Sequence, residues 1–350
     1  KTTYYFRGDV TNNYVKFATQ TRNTCTYNGK DVDYYGDDIV SINLTEEQCL
    51  STNVCVFVDA PQVITGIDKE TCVDDFGGTL TTDKATFTTN VVDSIWRIIR
   101  INEDGSVRLV TENTVGNSTY NYGSTCDNAY VGYMYGTTGS STYKETHKNT
   151  NDSTIKTYLD NWYKINLNGY TSYMSTTAGF CNDRSVAPAA KIWHKLYDTA
   201  LGYGENTTYY GAGQRLSIYK PQFKCPQAND LFTITTSTKG NKALTYPVGL
   251  LTTDEVIYAG AVEAEDEGVK KVNHYLNNDT VYTTMSVARS SGCNLNIYYS
   301  YDGLVSDTGD EHDGVRPVIN LSSDVEVISG DGTINNPCLL YTSPSPRDAT

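Results

Sequence analysis

Ser94-Ile95-Trp96-Arg97-Ile98-Ile99-Arg100-Ile101-Asn102-Glu103-Asp104-Gly105-Ser106-Val107-Arg108-Leu109-Val110 is the stretch on which the fold turns. Its first eight residues follow a period of two, as a half-buried strand does. Asn102 to Gly105 supplies a turn, and the run from Ser106 returns as a second strand. Asp-Gly between apolar runs marks a hairpin because its turn positions accept positive φ. Two further short strands are expected at 3–7 and 14–18, around a turn at Gly8, Asp9, Asn12 and Asn13. The last third repeats the strand pattern at 281–286, 296–301, 315–321 and 325–328, separated by Gly- and Asp-bearing turns.

Helical spacing is confined to the middle. Ile155, Tyr158, Leu159 and Trp162 fall on one face after the capping run Asn151-Asp152-Ser153, with Gly169 beyond the end. Ala189, Ile192, Trp193, Leu196, Tyr197 and Ala200 predict a second helix over 188–201, opened by Pro188 and stopped by Gly202. Tyr246 to Leu251 reads as a strand running into Thr252-Thr253-Asp254-Glu255, a capping box for a helix to about Tyr258. Strands at both ends with helices between predict an α+β class.

Composition excludes several functions. The 350 residues hold 27 Lys and Arg against 41 Asp and Glu, a net charge of −14, which argues against a nucleic-acid groove. A mean hydropathy of −0.45 and the absence of a long apolar run argue against a membrane span in this segment. Tyrosine outnumbers phenylalanine 29 to 8, an excess suited to half-wet β surfaces and contact faces. Residues 19–94 hold thirteen acidic and four basic side chains, a balance of −9 that accounts for most of the chain's charge, together with four cysteines. That shift marks a separate small module, cross-linked because it is too short for much of a core. Thr45-Glu46-Glu47-Gln48 would cap a short helix within it.

The ends are read separately. Lys1 opens the chain inside a strand-like run, without Met, so an export signal or anchor is expected upstream. Cys338 to Asp348 reads as an in-frame translation of a widely used transposase sequencing adapter, so 338–350 is expected to be a non-native tail outside the fold. Without Cys338, eight of the nine cysteines remain: Cys25, Cys49, Cys55, Cys72, Cys126, Cys181, Cys225 and Cys293. An even count without a C-x-x-C pair suits disulfides in an oxidising compartment better than zinc. Pairing within 19–94, Cys181–Cys225 and Cys126–Cys293 is the connectivity expected; eight buried, reduced thiols are the alternative.

Several strings occur together: Tyr5-Phe6-Arg7-Gly8 with Asn12 to Ala18, Trp96 to Gly105, Tyr130 to Gly136, and the helix Ile155 to Trp162. Phe180-Cys181-Asn182-Asp183-Arg184, Lys224-Cys225-Pro226, Gly314 to Leu321 and Gly330 to Thr333 follow. As a set they resemble uncharacterised surface or secreted proteins of Gram-positive gut bacteria. Their domain is distantly similar to the formylglycine-generating-enzyme variant of the C-type-lectin-like fold. The resemblance covers 3–18 and about 95–337. It implies a C-type-lectin-like main domain at 95–337 whose first strands lie in 1–18, with 19–94 as an acidic, Cys-rich insertion. Tyr282 to Ser286 departs from the pattern, since relatives often carry a tryptophan before the Thr-Met pair.

No catalytic residue is expected. A formylglycine-generating enzyme uses a late pair of redox-active cysteines, and Cys293 stands alone. His147, His194, His274 and His312 lack the spacing of a metal or base motif. Asp302, Asp307, Asp310, Glu311 and Asp313 gather hard oxygen ligands, so Asp307, Asp310 and Asp313 are the candidates for calcium, the one cofactor considered. Glu263, Glu265, Asp266 and Glu267 form a second acidic run. A solvated loop is the alternative for both, and neither carries the Glu-Pro-Asn or Trp-Asn-Asp strings of sugar-binding C-type lectins. Asn294, Asn296, Tyr298, Tyr299 and Tyr301 form the candidate contact surface, of a type that binds adaptably at low entropic cost, as in antibody loops. Ordinary strand polarity is the alternative. The function expected is an exported, non-enzymatic binding or adhesion module with a protein or glycan ligand at a bacterial cell surface. An enzyme of the same fold and a pilin-like subunit are the competing classes.

Overall fold

The structure, a computed structural model, describes residues 2–29, 60–64, 86–121, 149, 152–187, 207–235, 242–263, 273–277, 280–291, 294–300 and 303–342. The predicted helix over 188–201 and the predicted cap at Thr45 lie outside these residues. The chain divides into two compact units. One comprises Lys1–Phe17, Ile95–Thr114 and Ser118–Thr350; the other comprises Ala18–Ser94 and Val115–Asn117.

The strands in chain order are β1 (Tyr4–Tyr5), β2 (Tyr14–Gly29), β3 (Ala60–Ile64), β4 (Thr86–Ile101), β5 (Val107–Thr111) and β6 (Asn117–Ser118). Helix α1 (Thr154–Asn166) precedes β7 (Phe180–Cys181) and β8 (Thr207–Tyr209). Helix α2 (Gly211–Ser217), β9 (Leu231–Thr233), β10 (Lys242–Ala243) and helix α3 (Thr253–Ala259) come next. The chain then runs through β11 (Tyr282–Ser291), β12 (Asn294–Ser300), β13 (Leu304–Thr308), β14 (Asp313–Gly314), β15 (Val318–Leu321), β16 (Val325–Ser329) and β17 (Cys338–Thr342).

The α+β class expected from the sequence, a C-type-lectin-like domain, is corrected. Strand accounts for 36% of the interpretable residues and helix for 19%, so the architecture is mostly β. Two things shift the balance. The capped helices are short, with 7 residues in α3, while β2 and β4 each extend to 16 residues. Both strands run on past the segments singled out in the sequence.

The hairpin that opens the reading forms as β4 and β5, with Trp96 opposite Thr111 and Ile101 opposite Val107. Asn102 donates its amide N–H to Ser106 across the turn, and Gly105 sits at φ +86°, where glycine alone is unstrained. The order in this sheet is β15-β5-β4-β2-β17-β16. Residues 338–342, expected to lie outside the fold, form β17 between β2 and β16. A second sheet runs β13-β12-β11-β14-β6 and a third β10-β9-β7. The segment predicted as a strand at Tyr246–Leu251 is instead a crossing that bends at 246–248 and makes one isolated bridge, Gly249 to Val318. Pro247 has no N–H for a ladder. The crossing ties two sheets together, because Gly249 bonds Val318 of β15 and Leu251 accepts from Met285 of β11. A Cβ on Gly249 would lie 2.3 Å from the Phe180 ring, so only glycine permits the crossing.

Helix α1 starts where its sequence said it would. Ser153 caps it, its hydroxyl accepting from the Lys156 N–H at 3.2 Å. Ile155, Leu159 and Trp162 are buried, and Trp162 meets Trp96 edge-to-face at 6.3 Å. Trp96 is fully buried and donates its indole N–H to the Phe17 carbonyl at 2.9 Å. Ser153→Ala is expected to cost about 1 kcal/mol of stability, read as a lower urea midpoint at unchanged slope. Tyr282 is buried under the Arg316 guanidinium at 4.9 Å.

Candidate binding site

Arginine in an alternating strand reads as a solvent-facing residue, yet Arg108 of β5 is 1% exposed. The crossing at Leu250 and helix α3 cover it. Thr252 caps α3 through the reciprocal capping box, and the box delivers its glutamate to the arginine. Glu255 takes the Thr252 N–H at 2.9 Å and contacts Arg108 Nε at 2.5 Å and Arg100 Nη1 at 3.2 Å. Burial opposes ionisation of Glu255, but Arg108, Arg100 and the cap N–H hold its carboxyl below the usual carboxylate range. Burial lowers Arg100 to about 10 against the pull of Glu255, leaving it charged at neutral pH.

A second charge cluster adjoins the first. Arg215 of α2 grips Asp254 through two bonds of 2.7 Å and reaches Asp183 at 2.6 Å. Burial pulls the Arg215 guanidinium down, but its two carboxylate partners raise it overall. Burial lifts Asp183 against the pull of Arg215 and the Ser185 hydroxyl. Asp254 also accepts the Gln222 backbone N–H at 2.9 Å, which anchors the loop after α2.

That loop is the part of the site that faces outward. Tyr219 enters it at φ +51° as α2 ends, and the Tyr258 hydroxyl bonds the Pro221 carbonyl at 2.8 Å. The Cys181–Cys225 disulfide, with Cα atoms 5.6 Å apart, ties its far end to β7. Between these anchors Phe223 stacks on Tyr258 (3.9 Å, 21°), and Tyr5 of β1 packs against both rings at 5.5 and 4.8 Å. The Arg100 guanidinium lies 4.6 Å from the Phe223 ring. Phe223 and Tyr258 are half-buried, and Tyr5 is 43% exposed. Phe223 also lines a small recess, with Arg100, Arg215, Asp254, Gln222, Lys224 and Ser286 among its other lining residues.

The residues singled out in the sequence lie elsewhere. Asn294, Asn296, Tyr298 and Tyr299 belong to β12, which pairs with β11 on one side and β13 on the other, in keeping with the strand expected at 296–301. Tyr301 lies outside the described residues. Asp307 is on β13, Asp310 is exposed in the following turn and Asp313 is on β14. Among the described residues no three His, Cys, Asp or Glu side chains converge as metal ligands do. Cys181–Cys225 is the expected disulfide that forms among the described residues. Cys25 is on β2, while Cys49, Cys55, Cys72, Cys126 and Cys293 lie outside those residues, as do His147 and His194. His312 is exposed. His274 is buried and pushed down to about 4 by burial and by Arg316, so it is neutral at physiological pH.

Sequence reasoning missed Phe223, Tyr258, Arg100 and Arg108 as site residues. Signals were present: Lys224-Cys225-Pro226 and Phe180 to Arg184 stood out as strings, and Thr252 to Glu255 stood out as a cap. Searches against protein-family models, curated proteins and solved structures return no match. No helix among the described residues is long and apolar enough to cross a membrane.

Proposed function

We propose that the chain is an exported, non-enzymatic binding module of a bacterial surface, and that the rim of Tyr5, Phe223 and Tyr258 is its ligand-contact face. The observation that carries this reading is the disulfide-anchored loop whose Phe223 borders a recess with already paired acids and packs with the part-exposed rings of Tyr5 and Tyr258. Aromatic rings held by neighbours contact a ligand at little entropic cost. Asp183, Asp254 and Glu255 are each bonded to an arginine, an arrangement that fixes a shape. The Cys181–Cys225 bond suits an oxidising compartment and supports the exported reading.

The purified 350-residue chain is expected to bind intact bacterial or mucosal cell surfaces, and Phe223→Ala to weaken that binding about tenfold. Tyr298→Ala and Tyr299→Ala are expected to leave it unchanged. Retention on the surfaces after washing measures it. Equal retention of wild type and Phe223→Ala, with loss in the Tyr298 variant, would move the face to β12.

A further inference from the structure

We infer that residues 273–277 form an acid-sensitive latch, which holds the turn after β1 while His274 is neutral and releases it when that imidazole takes a proton. The latch is built from backbone bonds and one buried cation. The Tyr275 N–H donates to the Gly8 carbonyl at 3.0 Å, and the Gly8 N–H donates to the Ala259 carbonyl of α3 at 2.7 Å. Arg316, fully buried, donates from Nη1 to the Leu276 carbonyl at 2.7 Å and from Nε to the Thr111 carbonyl of β5 at 3.0 Å. The Tyr275 ring completes the clasp, edge-on to Phe6 at 6.4 Å. One short segment thus joins the Gly8 turn to α3 and, through Arg316, to β5.

The surroundings of His274 are hostile to a charge. The side chain is 6% exposed, and its Nδ1 bonds to no described residue. Arg316 is the charged group that acts on it, and it repels a proton there. Around Arg316 lie Arg97 of β4, Glu112 beyond β5, Tyr282 of β11 and Tyr275 of the latch itself. Burial raises both phenols, so they stay neutral. Glu112 lies 3.7 Å from Arg97 Nε and also acts on Arg316, so one carboxylate already serves two guanidinium groups. Glu255, on the other side of Tyr275, is bonded to Arg100 and Arg108. A proton on His274 would add a third cation to Arg97, Arg316 and their one shared acid. Burial and Arg316 hold the closed imidazole down at about 4, against about 6.5 for an exposed one. The open latch therefore takes up a proton that the closed latch refuses. Opening becomes easier as pH falls through that window, and harder as it rises.

Amide hydrogen exchange of the 350-residue chain between about pH 7 and pH 5, corrected for the exchange of free amides, tests this above the range in which Glu255 titrates. Protection of the Tyr275 and Gly8 amides is expected to fall on the order of twentyfold across that interval, the effect of one proton taken up on opening. The Met285 amide, bonded to Leu251, is the reference and is expected to stay better protected throughout, because the latch opens without the sheets. His274→Phe keeps a buried ring that cannot take a proton, and His274→Asn keeps a polar side chain that cannot. Either variant is expected to flatten the profile whatever its own stability, since the readout is a slope. Wild-type protection that is level from pH 7 to pH 5 would overturn the latch. So would an undiminished fall in either variant that folds. Exchange at Tyr275 and Gly8 no faster than at Met285 would also overturn it, since the chain would then open only as a whole.

Discussion

Replacing Cys225 with serine is expected to lower the unfolding free energy by about 4 kcal/mol, the loop-closure entropy for a bridge of this span. The bridge closes 44 residues of chain, from β7 through α2 to the binding loop. Cys181→Ser removes the same bond, so each single variant and the double variant should lose about the same amount. Guanidinium unfolding of the four proteins measures it. Additive losses in the double variant would mean that the two sulfurs contribute separately. The functional consequence follows from position. Phe223 and Lys224 immediately precede Cys225, so losing the bridge frees the end of the loop that holds them. Retention on cell surfaces should therefore fall with stability, while the Gln222 end stays tied to Asp254.

Glu255→Gln is expected to cost about 3–5 kcal/mol, because it leaves two guanidinium groups buried without their carboxylate. Glutamine keeps the volume and can still accept from the Thr252 N–H, so the loss isolates the charge. Arg108 is 1% exposed and cannot turn to water for compensation. The effect has a pH signature. Glu255 titrates below an unfolded glutamate, so its stabilisation is complete above the unfolded value of about 4.3 and is lost as pH falls through the lower folded value. Wild-type stability should therefore decline in acid below about pH 4 more steeply than that of Glu255→Gln. Parallel acid profiles of the two proteins would remove Glu255 from this role.

What was legible in the sequence was local. The β4–β5 hairpin, the Ser153 cap and the Thr252–Glu255 capping box each rest on a few adjacent residues, and each forms where the pattern places it. Convergence was not legible. Arg108 alternates like a surface residue, and only the packing of α3 on β5 turns it inward. Lys156 looks solvent-facing on a helix, yet it is 1% exposed between Asp152 and Asp160, at 3.2 and 2.6 Å. The contact face was sought in the Tyr/Asn run at 294–301, where the pattern gave the strand but not its pairing on both edges by β11 and β13. Phe223 carried no signal of its own. Its significance comes from Cys225 beside it and from Tyr5, more than two hundred residues away in sequence, meeting it in space. Strand length was underestimated for the same reason, since pairing with neighbours extends β2 and β4 beyond their apolar alternation.

Hydroxyl-radical footprinting of the full chain, free and bound to cell-surface material, locates the contact face most directly. Protection of Tyr5, Phe223 and Tyr258 with unchanged labelling of Tyr298 and Tyr299 is the expected result. Protection at Tyr298 and Tyr299 with an unaltered aromatic rim would contradict it.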